Sequence, residues 1–388
     1  MVIPLSYNYR NLLARKLTTL MTVLGITLVV FVFAAVLMLA YGLKRTLIST
    51  GSEDNWLVIR KSATSDLLSQ VSRDSVRLVE TFPEVALKDD GNPVSSREMV
   101  VVINLSKYGS NDMGNVIVRG VSPEALVMRP QVKLIEGRAF ETGKSEVIVG
   151  KSISQRFQGC RLGQTLKFGT RTWTIVGIFE AEKSGFESEI WADVEQMMAS
   201  FTRPTYSTLL FRLKDKKDLA AFKARFESEP RLSQLEVRNE QKYFGEQSEQ
   251  LAKFLTVLGL VITIIFSFGA MIGAMITMYA SVANRTVEIG TLRALGFRRT
   301  SVLIAFLIEA LLISLIGGAL GLLLASSLQA FTISMLNFST FSELAFGFSL
   351  NGWIVVSSLI FSVVMGIVGG FFPAVRASRL DIVTALRA

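Results

Sequence analysis

Histidine is absent from the 388 residues, and cysteine occurs once, at Cys160. Without histidine the commonest general base, the commonest metal ligand and every Ser-His or Cys-His nucleophile pair are excluded. Zinc chemistry is nearly excluded with them. One cysteine cannot form an internal disulfide, so any part outside the cytoplasm must hold together on its core alone. Charge is also scarce. Charged residues make up 19% of the chain, against about 25% in soluble domains. Hydrophobic residues make up 50%, and the mean hydropathy is +0.44. Such an excess has to sit in lipid or in an unusually large core. The 41 Lys and Arg exceed the 32 Asp and Glu, for a net +9; this balance admits nucleic acid, an anionic membrane surface or topology signalling as its reason.

The apolar residues are concentrated in four runs. Leu17 to Tyr41 and Phe254 to Ala283 contain no charged side chain, Ser301 to Leu336 contains only Glu309, and Leu344 to Val375 contains none. About 20 apolar residues cross a hydrocarbon layer of roughly 30 Å, so each run predicts a spanning helix. The first is too long for the core of a cleaved signal peptide. The predicted organisation is a cytoplasmic N-terminal amphipathic segment (1–16), span 1 with a stalk (17–50), a soluble domain (51–238), a stalk with span 2 (239–283), a cytoplasmic helix (284–299), span 3 (300–336), span 4 (344–375) and a cytoplasmic tail (376–388). Orientation follows the basic residues beside the spans. Arg10, Arg15, Lys16, Arg285, Arg293, Arg298, Arg299, Arg376, Arg379 and Arg387 share one side with only Glu288 and Asp381, which makes that side cytoplasmic with both termini on it. The net positive charge is then largely topology, and the nucleic-acid reading falls.

The domain between spans 1 and 2 reads as extracytoplasmic α+β. Predicted strands are Trp56–Arg60, Met99–Leu105, Val116–Val121, Glu146–Val149, Thr172–Phe179 and Thr208–Leu213, rich in Val, Ile and aromatics. Predicted helices cover Asp66–Glu80, with Ser65 as its cap, and Lys216–Glu229, where Leu219, Phe222 and Phe226 recur at helical spacing. Gly137 to Ser145, read Gly-Arg-Ala-Phe-Glu-Thr-Gly-Lys-Ser, resembles a phosphate-binding loop but has one residue too many between its glycines, and a strand rather than a helix follows. Glu187 and Glu189 read as a solvated acidic loop rather than a catalytic pair, and Cys160 as a small buried hydrophobe.

Before span 2, Tyr243, Phe244, Gln247, Leu251, Phe254, Leu255 and Leu258 share a helical face. One helix over 240–283 would be about 65 Å long, twice the lipid thickness. Gly269 with Gly273, Gly317 with Gly321 and Gly366 with Gly370 are spaced for close helix packing. Glu309 is an ionisable residue inside a span, to be read either as functional or as paired with an arginine near the cytoplasmic end. Residues 284–296 form a short amphipathic pattern with Ile289, Leu292 and Leu295 in one arc, Arg293 outside it and Gly296 as the stop.

The stretch Arg285-Thr286-Val287-Glu288-Ile289-Gly290-Thr291-Leu292-Arg293-Ala294-Leu295-Gly296, followed by Phe306-Leu307-Ile308-Glu309-Ala310, resembles the permease family of MacB, FtsX and LolC, the mechanotransmission class of ABC transporter. The closing Phe372-Pro373-Ala374-Val375-Arg376-Ala377-Ser378-Arg379-Leu380-Asp381, with Ala385-Leu386, resembles the same family's C-terminus, and the order of spans and domain matches over the whole chain. The resemblance implies a non-catalytic bacterial inner-membrane subunit, a homodimer or a heterodimer with a related permease. In it Arg285, Glu288, Ile289, Gly290, Leu292, Arg293, Leu295 and Gly296 form a coupling helix docking into a cytoplasmic ABC ATPase, expected here as a separate subunit. It implies that ATP and Mg are bound by that ATPase and that this chain holds no cofactor and no metal. Movement would pass through the stalk to the outer domain, and a periplasmic adaptor (membrane fusion protein) with an outer-membrane channel would complete an exporter. An FtsX-like regulator of a cell-wall hydrolase and a lipoprotein-releasing permease stay open as alternatives.

Overall fold

The computed structural model describes residues 16–109, 112–337, 340–382 and 385. The predicted N-terminal segment therefore lies outside the described residues except at Lys16, and the tail is described only in part. In chain order the elements are α1 (Lys16–Ile48), β1 (Asn55–Arg60), α2 (Arg73–Glu80), β2 (Ser95–Ser106), β3 (Met113–Val121), α3 (Glu124–Met128), β4 (Lys133–Gly137), β5 (Glu146–Gly150), α4 (Lys151–Arg156), β6 (Thr165–Phe168), β7 (Arg171–Glu180), β8 (Glu189–Asp193), α5 (Val194–Ser200), β9 (Thr208–Arg212), α6 (Leu219–Ser228) and β10 (Leu235–Asn239). There follow α7 (Glu240–Ala283), α8 (Thr286–Ala294), α9 (Arg299–Ser327), β11 (Thr332–Asn337), β12 (Ser342–Gly347) and α10 (Gly352–Ser378). The chain divides into a helical unit, made of the stretch up to Gly42, Ala252–Phe331 and the stretch from Phe348, and a sheet unit of Leu43–Leu251 with Thr332–Gly347.

In the helical unit α1, α7, α9 and α10 are long and apolar enough to cross a membrane. Spans 3 and 4 are shorter than their apolar runs predict. Helix α9 ends at Ser327 and α10 begins at Gly352, because Thr332–Asn337 and Ser342–Gly347 pair as an antiparallel hairpin. Thr332, Ser334 and Asn337 break the helical apolar pattern with hydrogen-bonding side chains, a change that a count of charges does not register. The helices meet at small residues. A Cβ on Gly317 would lie 3.0 Å from Ile26 Cβ, one on Gly321 2.8 Å from the Thr27 carbonyl, and Gly366 and Gly370 face Ser314 and Ala310. Gly269 and Gly273 depart from the expectation, with nothing within 4 Å of either. Their spacing smooths one face of α7, but α7 meets its neighbours elsewhere, through Gly259 against Val36 and through Ala274 against Gly369.

The sheet unit is built on ten strands in the order β10-β1-β9-β2-β3-β8-β5-β7-β4, with β6 beside β7. The pairs β3–β8 and β5–β7 are parallel and the others antiparallel. Strand β2 joins the two halves, since Ser95–Glu98 pair with β9 and Met99–Ser106 with β3. Both faces are covered, which explains the short all-apolar strands. Val58, Val147, Val149 and Phe211 turn to one core with α2, α5 and α6, while Leu57, Ile59, Ile148 and Trp191 turn to the other with α3 and the first turn of α7. The predicted helix over Asp66–Glu80 is interrupted. Asp66–Leu68 is a 3-10 turn, Val71 bridges Tyr206, and α2 starts only after Ser72, which caps it by accepting from the Ser75 N–H; Ser65 makes no cap bond. Burial of the Asp66 carboxylate against Arg119 takes this stretch out of a regular helix.

Candidate functional site

Helix α8 is held at both ends within the helical unit. At its start, the Arg285 guanidinium is 5% exposed, with Nη1 3.1 Å from Glu309 Oε2, Nε 3.2 Å from Glu288 Oε2 and the group stacked over the Phe306 ring at 5.2 Å. Glu309 is thus an ion-pair partner, and the pairing lets two charges sit among apolar helices. At the other end, Arg293 is not left free: its Nη1 donates to the Ser378 carbonyl at 3.0 Å, one of the last-turn carbonyls that α10 cannot satisfy itself. The stop at Gly296, φ +93°, is a Schellman motif, with Gly296 N–H bonding Arg293 O and Phe297 N–H bonding Leu292 O.

Between these anchors Ile289 is 1% exposed and packs with Met278, Val302, Phe306 and Ala374, and Gly290 is buried beside it. Leu292 is half-buried, whereas Leu295, placed in the same arc by periodicity, is 67% exposed. The helix ends at Ala294 and the turn into Gly296 swings Leu295 outward. The outward face therefore carries Val287, Glu288, Thr291, Ala294 and Leu295, a mostly apolar strip that sequence reasoning credited only in part. The signal for it was present, since Val287, Thr291, Ala294 and Leu295 follow helical spacing.

In the sheet unit the polar chemistry is buried. Arg119 of β3 makes a bidentate pair with Glu189 of β8 (2.7 and 2.8 Å) and reaches Asp66 at 2.9 Å and Glu98 of β2 at 3.1 Å. Arg129, after α3, binds Glu98 at 2.6 Å and Glu240, the first residue of α7, at 2.8 Å. Glu240 also accepts from Ser52 N–H and Asn55 Nδ2, and Asp66 N–H donates to the Tyr243 hydroxyl. Burial alone would lower the Arg119 pKa, but Glu189, Asp66 and Glu98 outweigh it and hold it well above the ordinary arginine value. The β11–β12 hairpin is latched to this unit by Glu343, which pairs with Lys107 and Arg156, and by Ala345 N–H on Ser188 Oγ at 3.0 Å.

Residues 19–229 match the MacB-like periplasmic core domain, and residues 260–382 match the FtsX-like permease C-terminal domain. The chain belongs to the MacB/FtsX permease family. Relatives include the macrolide export ATP-binding/permease protein MacB of Burkholderia thailandensis, 26% identical over 410 residues that cover 97% of this chain and 58% of that protein. MacB 1 of Aeromonas hydrophila is 28% identical over 291 residues, covering 69% and 43%. The chain thus spans about half the length of the curated relatives it matches. The periplasmic region of MacB from Actinobacillus actinomycetemcomitans aligns with 50% of this chain and 92% of that structure, at 13% identity and a TM-score of 0.38.

Two readings from sequence change in this MacB/FtsX permease. Glu189 is not a solvated loop residue but lies in a strand, 4% exposed, and takes the Trp191 Nε1–H as well as Arg119. Glu187 Oε1 accepts the N–H groups of Ala181 and Lys183 and so closes a turn. At the phosphate-loop resemblance, Gly143 N–H is taken by the Asp193 carboxylate at 2.5 Å, β5 follows, and no helix offers its amides to an anion. Cys160 is buried, and burial pushes its thiol up to about 12.

Proposed function

We propose that this permease couples a cytoplasmic ATPase to movement of its periplasmic domain and so drives export. The observation that carries the reading is the continuity of α7. A single helix of 44 residues, about 66 Å at 1.5 Å per residue, begins in the buried ion-pair network of the sheet unit and ends two residues before α8. In this reading α8 docks into the ATPase through Val287, Glu288 and Leu295, and Arg285, Ile289 and Arg293 fix its position. ATP and Mg belong to the ATPase. The basic flanks of the spans support a cytoplasmic side for both termini in this reading.

Movement rather than conduction is supported by a helical unit whose buried charges, among the described residues, are Glu309 within a span and Arg285 paired with it from the start of α8. The relatives' names support export; an adaptor and an outer-membrane channel would complete the path in this reading. The uncovered face of α7 around Gly269 and Gly273 supports assembly of two permeases. The test is Val287→Asp with Leu295→Asp, at positions 49% and 67% exposed. The double variant should keep its unfolding temperature, lose co-purification with the ATPase and lose ATP-driven change in distance between spin labels on the periplasmic domain. Intact association and movement would end the docking assignment.

A further inference from the structure

We infer that α9 and α10 drive the periplasmic domain through the β11–β12 hairpin, and that Glu343 is the positioning residue that fixes the hairpin to that domain. The hairpin lies between two spans in sequence, yet Thr332–Gly347 belong to the sheet unit. It joins none of the ten strands there and forms a sheet of its own. Two strands alone are at best marginally stable in water. Its order therefore comes from what holds it.

The hold is centred on one carboxylate. Glu343, its side chain 12% exposed, pairs with Lys107, just after β2, and with Arg156, the last residue of α4; charge-assisted bonds of this kind are the stronger class. It lies against β3 at Gly114, where a Cβ would come within 2.8 Å of Glu343 Oε1. On either side of it, Asn115 Nδ2 donates to the Phe341 carbonyl at 2.7 Å and Ala345 N–H donates to Ser188 Oγ at 3.0 Å. Phe346 is 1% exposed, and Leu344 closes on Gly185.

The links to the spans are ordered as well. Leu328–Ala330 continue α9 as a 3-10 turn, so Phe331 alone separates helical backbone from β11. After β12, Phe348 and Leu350 pack with Met38 and Ile354, and Ser349 N–H donates to the Met38 carbonyl at 3.2 Å. Asn351 then caps α10 by accepting the Ile354 N–H at 2.8 Å. Chain held in this way passes a displacement on, whereas a Gly/Ser linker absorbs it. Joining two antiparallel helices takes about 2–8 residues; this connection runs from Leu328 to Asn351 and is clamped by an ion-paired latch. A loop that only joined two spans would need neither the length nor the latch, and a strut needs both.

The strut rests on the coupling proposed above and adds a second route to α7. Its test uses the full chain in lipid nanodiscs with the ATPase that co-purifies with it, reading the ATP-driven change in distance between spin labels on the periplasmic domain. Glu343→Lys sets a third cation beside Lys107 and Arg156 and should remove about half of that change, α7 carrying the rest. Insertion of a flexible Gly/Ser segment after Phe331 and another after Gly347 leaves the latch intact and should remove as much. Both variants should still co-purify with the ATPase, because α8 is untouched. Adding Lys107→Glu and Arg156→Glu to Glu343→Lys restores opposite charges and should return the movement, which a general loss of folding would not allow. Full movement in the insertion variant overturns the strut, since a hairpin serving only as cover would tolerate slack. Full movement in Glu343→Lys, or no recovery in the charge-swapped chain, overturns the role of Glu343. A parent chain that does not move with ATP fails the coupling reading itself, whereas a moving parent with unaffected variants fails the strut alone.

Discussion

In the sheet unit Asp66, Glu98, Arg119, Arg129, Glu189 and Glu240 are buried together, whereas in the helical unit the described buried charges are Arg285 and Glu309. The helical unit is packed instead at small residues that bring helices together, with Gly317, Gly318, Gly321, Gly366, Gly369 and Gly370 all facing neighbouring helices at close range. The solvent explains the contrast. A domain built in water gains by burying large apolar groups such as Trp173, Trp191 and Phe186, and can enclose charges where they saturate one another. Helices in lipid gain little from hiding leucine, so they adhere by close approach and by hydroxyl bonds such as Thr22 to Thr277 at 2.8 Å.

The sharpest test of the dry side of that contrast is Cys160. Its thiol is raised from 9.0 to about 12 by burial, so it stays protonated well above neutral pH. Iodoacetamide at pH 8 should label the native chain about a thousandfold more slowly than the unfolded one on thiolate fraction alone. Raising the pH to 10 should saturate labelling of the unfolded chain while the native chain stays slow. Fast native labelling would mean that the core is open. Next in size, Arg129→Met leaves Glu98 and Glu240 short of a cation and should cost about 3–5 kcal/mol of stability, read by unfolding of the full chain through its tryptophans. A neutral result would show the charge cluster to be ornamental.

In the helical unit, Gly370→Leu drives a side chain into Ala310 and should cost about 1–3 kcal/mol. Gly269→Leu meets open space and should change single-chain stability by less than about 0.5 kcal/mol, while reducing the fraction of two-copy assemblies seen by cross-linking. A large loss of single-chain stability at Gly269 would break the distinction between covered and uncovered glycines. Smallest of all, Lys133→Ala removes a pair with Glu182 in which both side chains are more than half exposed, and should fall within about 0.5 kcal/mol in a thermal melt.

The four apolar runs, the domain between the first two and the strands around Val58, Val118 and Val147 were legible, because hydropathy and period-two alternation are properties of short stretches. The hairpin was not. Phe331 to Gly347 carries one charge, Glu343, and the stretch disappears into the apolar runs on either side of it. Glu98, Arg119 and Glu189 were missed for a different reason. A charge within an apolar strand reads locally as an edge or a loop, and only the pairing of β2, β3 and β8 brings these three together. At α8 the stop at Gly296 was local and readable, whereas the engagement of Arg293 with Ser378 depends on where another span ends.

The pairing of β1 with β10 sets an order of assembly. Trp56 faces Asn239, and Gly51 lies so close to Gln241 that a Cβ there would come within 2.6 Å of its backbone. Strand β1 therefore gains its second neighbour only from the domain's last strand, and that pairing waits until the chain through residue 239 has crossed the membrane. Until then β1 offers one bare edge to solvent, a template for pairing with the wrong chain. This permease thus spends part of its biogenesis with β1 unpaired along one side after its first span is complete, and a chaperone for exported chains would be needed most in that interval.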